Sequence, residues 1–271
     1  MNSLELFKTQ KFYQIDISIL KDLGYDVLLS NRIFDSLLFW KYDILFSYFY
    51  RYSFFAALLA KCFGKKTYFT GGIDSLDSDY ASAFNYKIQA LFFKLCYWVA
   101  DSCIIVSQSD LKNIFKVSSL KKKLSYSEHV INTKLFIADV PKEKIFTSIV
   151  WMGDEGNVVR KGVDKALQIF AELKKIPEFV DYRFVIIGRK GEGEVLVRSI
   201  IDKYNLKGSV ELKGEVSEED KINLLKQSKY YFQLSLYEGF GLAALEALCA
   251  NNIIILSLIH ISEPTRLLSI S

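Results

Sequence analysis

Tyr237-Glu238-Gly239-Phe240-Gly241-Leu242-Ala243-Ala244-Leu245-Glu246-Ala247-Leu248 is the stretch on which the reading of the fold turns. The residues before it, Tyr230 to Leu236, form an apolar run of strand length, and those from Leu242 onward are rich in Ala and Leu and read as a helix. The pattern is therefore a buried strand, a glycine-bearing turn and a helix N-terminus. The first N–H groups of a helix lack internal partners and the helix dipole adds partial positive charge, so such a junction suits an anion. Gly239 and Gly241 let a ligand approach the backbone closely. If the span were wholly helical, Glu238 and Glu246 would sit ~12 Å apart along the axis and on the order of 80° apart around it. Carboxylates that cleave one glycosidic bond sit roughly 5 to 9.5 Å apart. This pair is better suited to gripping two parts of one extended ligand.

A nucleoside diphosphate sugar has two such parts. Glu238-Gly239-Phe240-Gly241-Leu242 followed by Glu246-Ala247 resembles the E-x7-E signature of retaining GT-B glycosyltransferases, especially family 4. The resemblance implies an α/β fold of two Rossmann-like doubly wound domains, the second incomplete here. It also implies that Glu246 holds the nucleotide ribose, that Glu238 contacts the donor sugar, and that the backbone of Gly239, Phe240, Gly241 and Leu242 receives diphosphate and sugar hydroxyls. The co-substrate would be a UDP- or GDP-sugar, with no separate cofactor and no metal.

From Ile145 strand and helix patterns alternate, which predicts a parallel sheet covered on both faces. Strands are expected over Ile145–Met152, Phe184–Gly188, Val210–Gly214 and Tyr230–Leu236, and Val163, Ala166, Leu167, Phe170 and Leu173 mark one helix face. Arg160-Lys161-Gly162-Val163-Asp164 opens that helix, so Arg160 and Lys161 concentrate positive charge where a diphosphate would bind. Gly188 and Gly214 end their strands at the edge where ligands bind in doubly wound sheets. Ser217-Glu218-Glu219-Asp220 has the spacing of a capping box. These motifs occur in the family's order across about a hundred residues (on the order of one lobe), so the donor lobe is the firmest part of the resemblance.

The first lobe is less regular. A helix with Ile15, Ile19, Leu20 and Leu23 ends at Gly24, and Tyr25–Leu29 reads as a short strand. Further strands are expected over Asp43–Tyr48, Lys66–Phe69 and Cys103–Ser107, with helices over Phe54–Lys61 and Ala83–Ala100. Thr70-Gly71-Gly72-Ile73-Asp74 follows a strand, and in many relatives this loop carries a histidine where Gly71 stands here. Asp74 is the matching polar residue: either a donor-sugar or acceptor contact, or a turn-forming aspartate. Ser107 and Ser109 belong to a turn that faces the cleft in the family, though Ser109-Asp110 also has the form of a helix cap. Glu128 to Phe136 resembles the passage linking the two lobes, which makes His129 a structural residue. The expected domains are 1–144 on the acceptor side, 145–255 on the donor side, and a tail, 256–271. That tail is read as non-native, because Leu256 to Arg266 resembles the translation of a transposon-based sequencing adapter. His260 accordingly carries no functional argument.

Composition narrows the classes further. The 271 residues are 51% hydrophobic, enough for two modest cores. A net charge of +4 gives no reason to invoke nucleic acid, although Lys121-Lys122-Lys123 would favour an anionic membrane surface. Cys62, Cys96, Cys103 and Cys249 show no C-x-x-C spacing, which argues against zinc and for free thiols in a reducing cytoplasm. The start lacks a charged n-region followed by an apolar h-region, and charges interrupt each long apolar run, so neither a signal peptide nor a membrane span is expected. The resulting reading is a cytoplasmic enzyme, peripheral to the inner membrane face, that moves sugar from a nucleotide-sugar donor to a saccharide or lipid-linked acceptor. Bacterial surface polysaccharide or glycolipid synthesis is the implied setting. A sugar-nucleotide epimerase of the same fold and a non-catalytic sugar-nucleotide-binding fragment are the alternatives.

Overall fold

The computed structural model describes residues 4, 7, 11–71, 76, 82–118, 121–137, 139–236, 238 and 240–257. The chain divides into two units between Val130 and Ile131. The expected domain boundary was 144/145. The earlier division has a packing reason: Phe136 is fully buried with Leu225, Tyr231 and Ala247, and Ile131 packs against the same cluster.

In the first unit, strands β1 (Ile44–Tyr48), β2 (Lys66–Thr70), β3 (Ser102–Ile105) and β4 (Leu124–Tyr126) pair in parallel in that order. Parallel neighbours need crossovers, and α2 (Tyr50–Cys62), α3 (Ala83–Val99) and α4 (Gln108–Val117) supply them. Tyr50 at the start of α2 stacks on Phe69 of β2 at 5.4 Å and touches Phe93 of α3, which joins both helices to the sheet. The aromatic segment expected over Ala83–Ala100 is α3, with Phe93, Cys96, Tyr97 and Val99 buried. Burial pushes the Cys103 thiol up to about 12, whereas Cys62 lies exposed. Ser107 caps α4, accepting from the Asp110 N–H at 3.1 Å, so the cap starts two residues before Ser109. The leading helix, α1 (Lys11–Asp22), is followed by Gly24 at φ +87°. Tyr25–Leu29, expected as a strand, is half-buried to exposed and belongs to no ladder among the described residues, where β1 pairs with β2 alone. Alternating residues alone do not make a strand without a partner.

The second unit is more regular. Strands β5 (Glu143–Ile149), β6 (Arg183–Ile187), β7 (Val210–Gly214), β8 (Ser228–Gln233) and β9 (Ile253–Leu256) form a parallel sheet in the order β7-β6-β5-β8-β9. The helices between them are α5 (Glu155–Arg160), α6 (Val163–Leu173), α7 (Glu194–Lys203), α8 (Glu218–Gln227) and α9 (Leu242–Cys249). Phe146 of β5 stacks between Tyr230 at 4.6 Å and Phe232 at 5.0 Å on β8, and Phe170 of α6 meets its edge. Such ring pairs contribute about 0.5–1.5 kcal/mol each beyond the area they bury. Val163, Ala166, Leu167 and Phe170 all face this core, as the helical spacing requires. Leu256 closes the β8–β9 ladder opposite Gln233, and β9 is an edge among the described strands. His260 and the remainder of the tail from 258 lie outside the described residues.

The strand order matters for function. The chain moves outward from β5 through β6 to β7, then returns to β8 on the other side of β5. Such a reversal of strand order marks a switch point, and doubly wound sheets usually bind ligands in the crevice outside the carboxyl ends of the strands there.

Candidate active site

Two turns meet at that crevice. In the first, which follows β5, Asp154 caps α5 by accepting from the Asn157 N–H at 2.6 Å, and the helix runs out at Lys161. Gly162 follows with φ +68°, and a Cβ on it would lie 2.0 Å from the Leu234 carbonyl oxygen. Only a bare backbone passes there. Beside it the Leu236 N–H donates to the Arg160 carbonyl at 2.7 Å. These contacts tie the turn after α5 to the turn after β8.

Lys161 thereby reaches Glu238. Its Nζ donates to Glu238 Oε2 at 2.7 Å, with 19% of each side chain exposed. The same carboxylate oxygen accepts from Gln233 Nε2 at 2.9 Å and from Ser235 Oγ at 3.1 Å, and both of these residues are buried. Tyr231 extends the network inward by donating to Gln233 Oε1 at 3.2 Å. Burial above all, with the charges of Glu238 and Glu246 adding, holds the Tyr231 phenol well above its ordinary range. Both glutamates of the E-x7-E pattern therefore lie within electrostatic reach of one buried hydroxyl.

Gly241, at φ +77°, caps α9, and Leu242 is the helix's first residue. Glu238 precedes the helix and Glu246 lies inside it, as the sequence requires. Glu246 is 5% exposed, and Lys221 of α8 pairs with its Oε2 at 2.7 Å. Arg160 lies next to Lys161 but turns back along α5, its Nε and Nη2 donating to Asn157 Oδ1 at 3.2 and 2.6 Å. Phe240 lies half-buried in the turn, while Gly239 and Asp74 are outside the described residues.

Gly188 and Gly214 lie on the β6–β7 side of β5. The Gly188 N–H donates to the Gly214 carbonyl at 2.8 Å, and a Cβ on Gly188 would meet the Val150 carbonyl at 2.0 Å. Close strand packing is thus sufficient reason for glycine at 188. In the first unit, Gly71 has φ +66°, and Tyr48 at the end of β1 donates to Asp16 Oδ2 at 2.7 Å. Burial raises the Asp16 carboxyl and lowers His129, whose charge acts on Asp16 in turn.

Gln233, Ser235, Lys221 and the packing role of Gly162 were not legible from the sequence. Gly162 stood inside a motif already singled out, but its partner Leu234 is remote in the chain; the other three carry no motif of their own. Among the described residues, no group of three or more His, Cys, Asp or Glu is placed to hold a metal ion, and no helix is long and apolar enough to cross a membrane.

The switch point between β5 and β8 thus brings together the glycine-bearing start of α9 and the paired Lys161 and Glu238 in a Rossmann-like unit. Residues 156–261 match the family of glycosyl transferases group 1. Over 101 residues the chain is 37% identical to a GDP-mannose:cellobiosyl-diphosphopolyprenol alpha-mannosyltransferase of Xanthomonas oryzae pv. oryzae, a match covering 36% of this chain and 26% of that protein. A second mannosyltransferase of the same description, from Xanthomonas campestris, is 35% identical over 101 residues, again covering 36% of this chain and 26% of that one. The matched stretch thus spans about a quarter of the mannosyltransferases' length. In fold, the chain is similar to Anabaena HepE in complex with UDP-glucose, with a TM-score of 0.67 at 12% identity over 89% of this chain and 69% of that one.

Proposed function

We propose that the chain carries the donor lobe of a retaining GT-B glycosyltransferase, which moves a sugar from a UDP- or GDP-sugar to a hydroxyl of a saccharide or lipid-linked acceptor. The observation that supports this best is the convergence of Lys161, Glu238 and the N-terminus of α9 at the β5/β8 switch point. When the sugar–oxygen bond breaks, negative charge develops on the leaving diphosphate. Lys161 and the amides from Gly239 to Leu242 supply positive charge for it, with Arg160 adjoining. Glu238 acts as a sugar-orienting carboxylate rather than a nucleophile, because three donors already draw on its Oε2. Glu246 takes the ribose, and the reading needs no metal or cofactor. Asp74 is assigned to the donor sugar or the acceptor, and Gly188 and Gly214 to the strand ends beside the nucleotide.

The test is nucleotide binding and turnover with a panel of UDP- and GDP-sugars, the anomeric configuration of any product being read by NMR. Glu246→Ala is expected to weaken UDP or GDP binding about 10- to 100-fold, as loss of hydrogen bonds to a charged group does. Inorganic pyrophosphate should bind the variant as it binds the parent. Unchanged nucleotide affinity in Glu246→Ala would count against the assignment.

The acceptor side invites a membrane. In the first unit, 77% of Phe34 and 66% of Trp40 are exposed in two short 3-10 turns, and Tyr52 and Phe55 are exposed on α2. Phe39 stacks on Phe63 at 4.2 Å, joining those turns to the end of α2, and Arg32, Lys41 and Arg51 lie in the same segments. Aromatic rings with interspersed cations suit the headgroup layer of an anionic leaflet. Co-sedimentation with phosphatidylglycerol vesicles should exceed that with phosphatidylcholine vesicles and fall in Phe34→Ser/Trp40→Ser; equal sedimentation with both vesicle types would argue against membrane contact.

A further inference from the structure

The cation that holds Glu246 comes from α8, outside the glycine turn and outside the Lys161 segment. Lys221 Nζ lies 2.7 Å from Glu246 Oε2 and 3.0 Å from Glu218 Oε2. The two carboxylates differ in their need for it: the Glu218 side chain is 48% exposed and the Glu246 side chain 6%. Water screens the first, whereas the second is held away from water, where loss of a pairing cation costs more. Lys221 is also well anchored. Ser217 caps α8 by accepting from the Asp220 N–H at 3.0 Å, and Leu224 and Leu225, one turn beyond Lys221, are buried against the sheet. A carboxylate offers about four lone-pair sites, of which the Lys221 ammonium takes only a part.

We propose that Lys221 is a positioning residue for nucleoside recognition: it fixes the charge and direction of the Glu246 carboxylate so that the carboxylate accepts from the paired 2′- and 3′-hydroxyls of a nucleoside diphosphate. The proposal rests on the reading of Glu246 as the ribose ligand. Its consequence is selective. A ligand with both ribose hydroxyls depends on Lys221, and a ligand without them does not. A lysine that merely stabilised the fold would affect all ligands alike.

Calorimetric titration of UDP and GDP, their 2′,3′-dideoxy forms and inorganic pyrophosphate into the full chain separates these cases, with thermal unfolding recorded for each variant. Lys221→Met should lower affinity for UDP or GDP about tenfold, the scale of one hydrogen bond to a charged group. Affinities for the dideoxy nucleotides and pyrophosphate should stay within about twofold, the usual effect of a change that removes no contact. Lys221→Arg should recover most of the loss, and Lys221→Met/Glu246→Gln should bind no worse than Glu246→Gln alone, since both changes remove one interaction. If Lys221→Met weakens every ligand equally, or none while Glu246→Gln abolishes the preference for ribose hydroxyls, the role of Lys221 is overturned. If Glu246→Gln itself keeps that preference, the ribose reading fails first and the proposal fails with it.

Discussion

Lys161→Ala is expected to lower turnover of the nucleotide-sugar donor by about 10²–10³-fold, the effect of removing one preorganised donor from a developing anion. The loss should fall mainly on kcat, because the charge Lys161 meets grows as the sugar–oxygen bond breaks. Lys161 also donates to Glu238 at 2.7 Å, so the variant leaves that carboxylate to Gln233 and Ser235 alone. Lys161→Arg, which keeps the positive charge beside Glu238, should recover part of the loss. The contrast with Glu246→Ala is informative: that change should act on nucleotide affinity and spare the bond-breaking step. Single-turnover release of nucleoside diphosphate from saturated enzyme measures the difference directly. Turnover of Lys161→Ala within tenfold of the parent would remove Lys161 from the chemistry.

What could be read from the sequence follows from the range of the interactions. The second unit's alternation of strand and helix is local, and β5 to β8 appear within a few residues of where their apolar runs predict. Lys161 and Glu238 are both visible as motif residues, one assigned to diphosphate and the other to sugar. That they bind each other is not visible, because the pair spans 77 residues and depends on the strand order. Lys221 shows the same limit from the other side. It carries no motif of its own, and its partner on the same helix, Glu218, is 48% exposed. Only the placement of α9 next to α8 brings the buried Glu246 within 2.7 Å. Tyr25–Leu29 failed for a related reason: a strand needs a neighbour, and no residue pattern within the segment states whether one exists.

Gly162→Ala is expected to cost more stability than any single change at a side-chain contact in the site. Its φ of +68° alone costs an L-residue about 1–2 kcal/mol. The added Cβ would lie 2.0 Å from the Leu234 carbonyl oxygen and 2.5 Å from its carbon, both backbone atoms in the segment that leads to Glu238. Neither rotates away, so the turn after α5 must separate from the turn after β8. Gly208 is the control, since it has φ +84° with nothing within 4 Å of its virtual Cβ. Gly208→Ala thus carries the conformational penalty without the collision. Gly162→Ala should exceed it by roughly 2 kcal/mol or more, in the range of overpacked core positions, and chemical denaturation of the two variants gives the comparison. In the folded fraction, the same separation should pull Lys161 from Glu238 and reduce donor turnover, which Gly208→Ala should leave intact. Equal destabilisation by the two alanines would mean that the backbones yield at little cost. The ion pair, rather than the tight crossing at Gly162, would then fix Lys161 in the crevice.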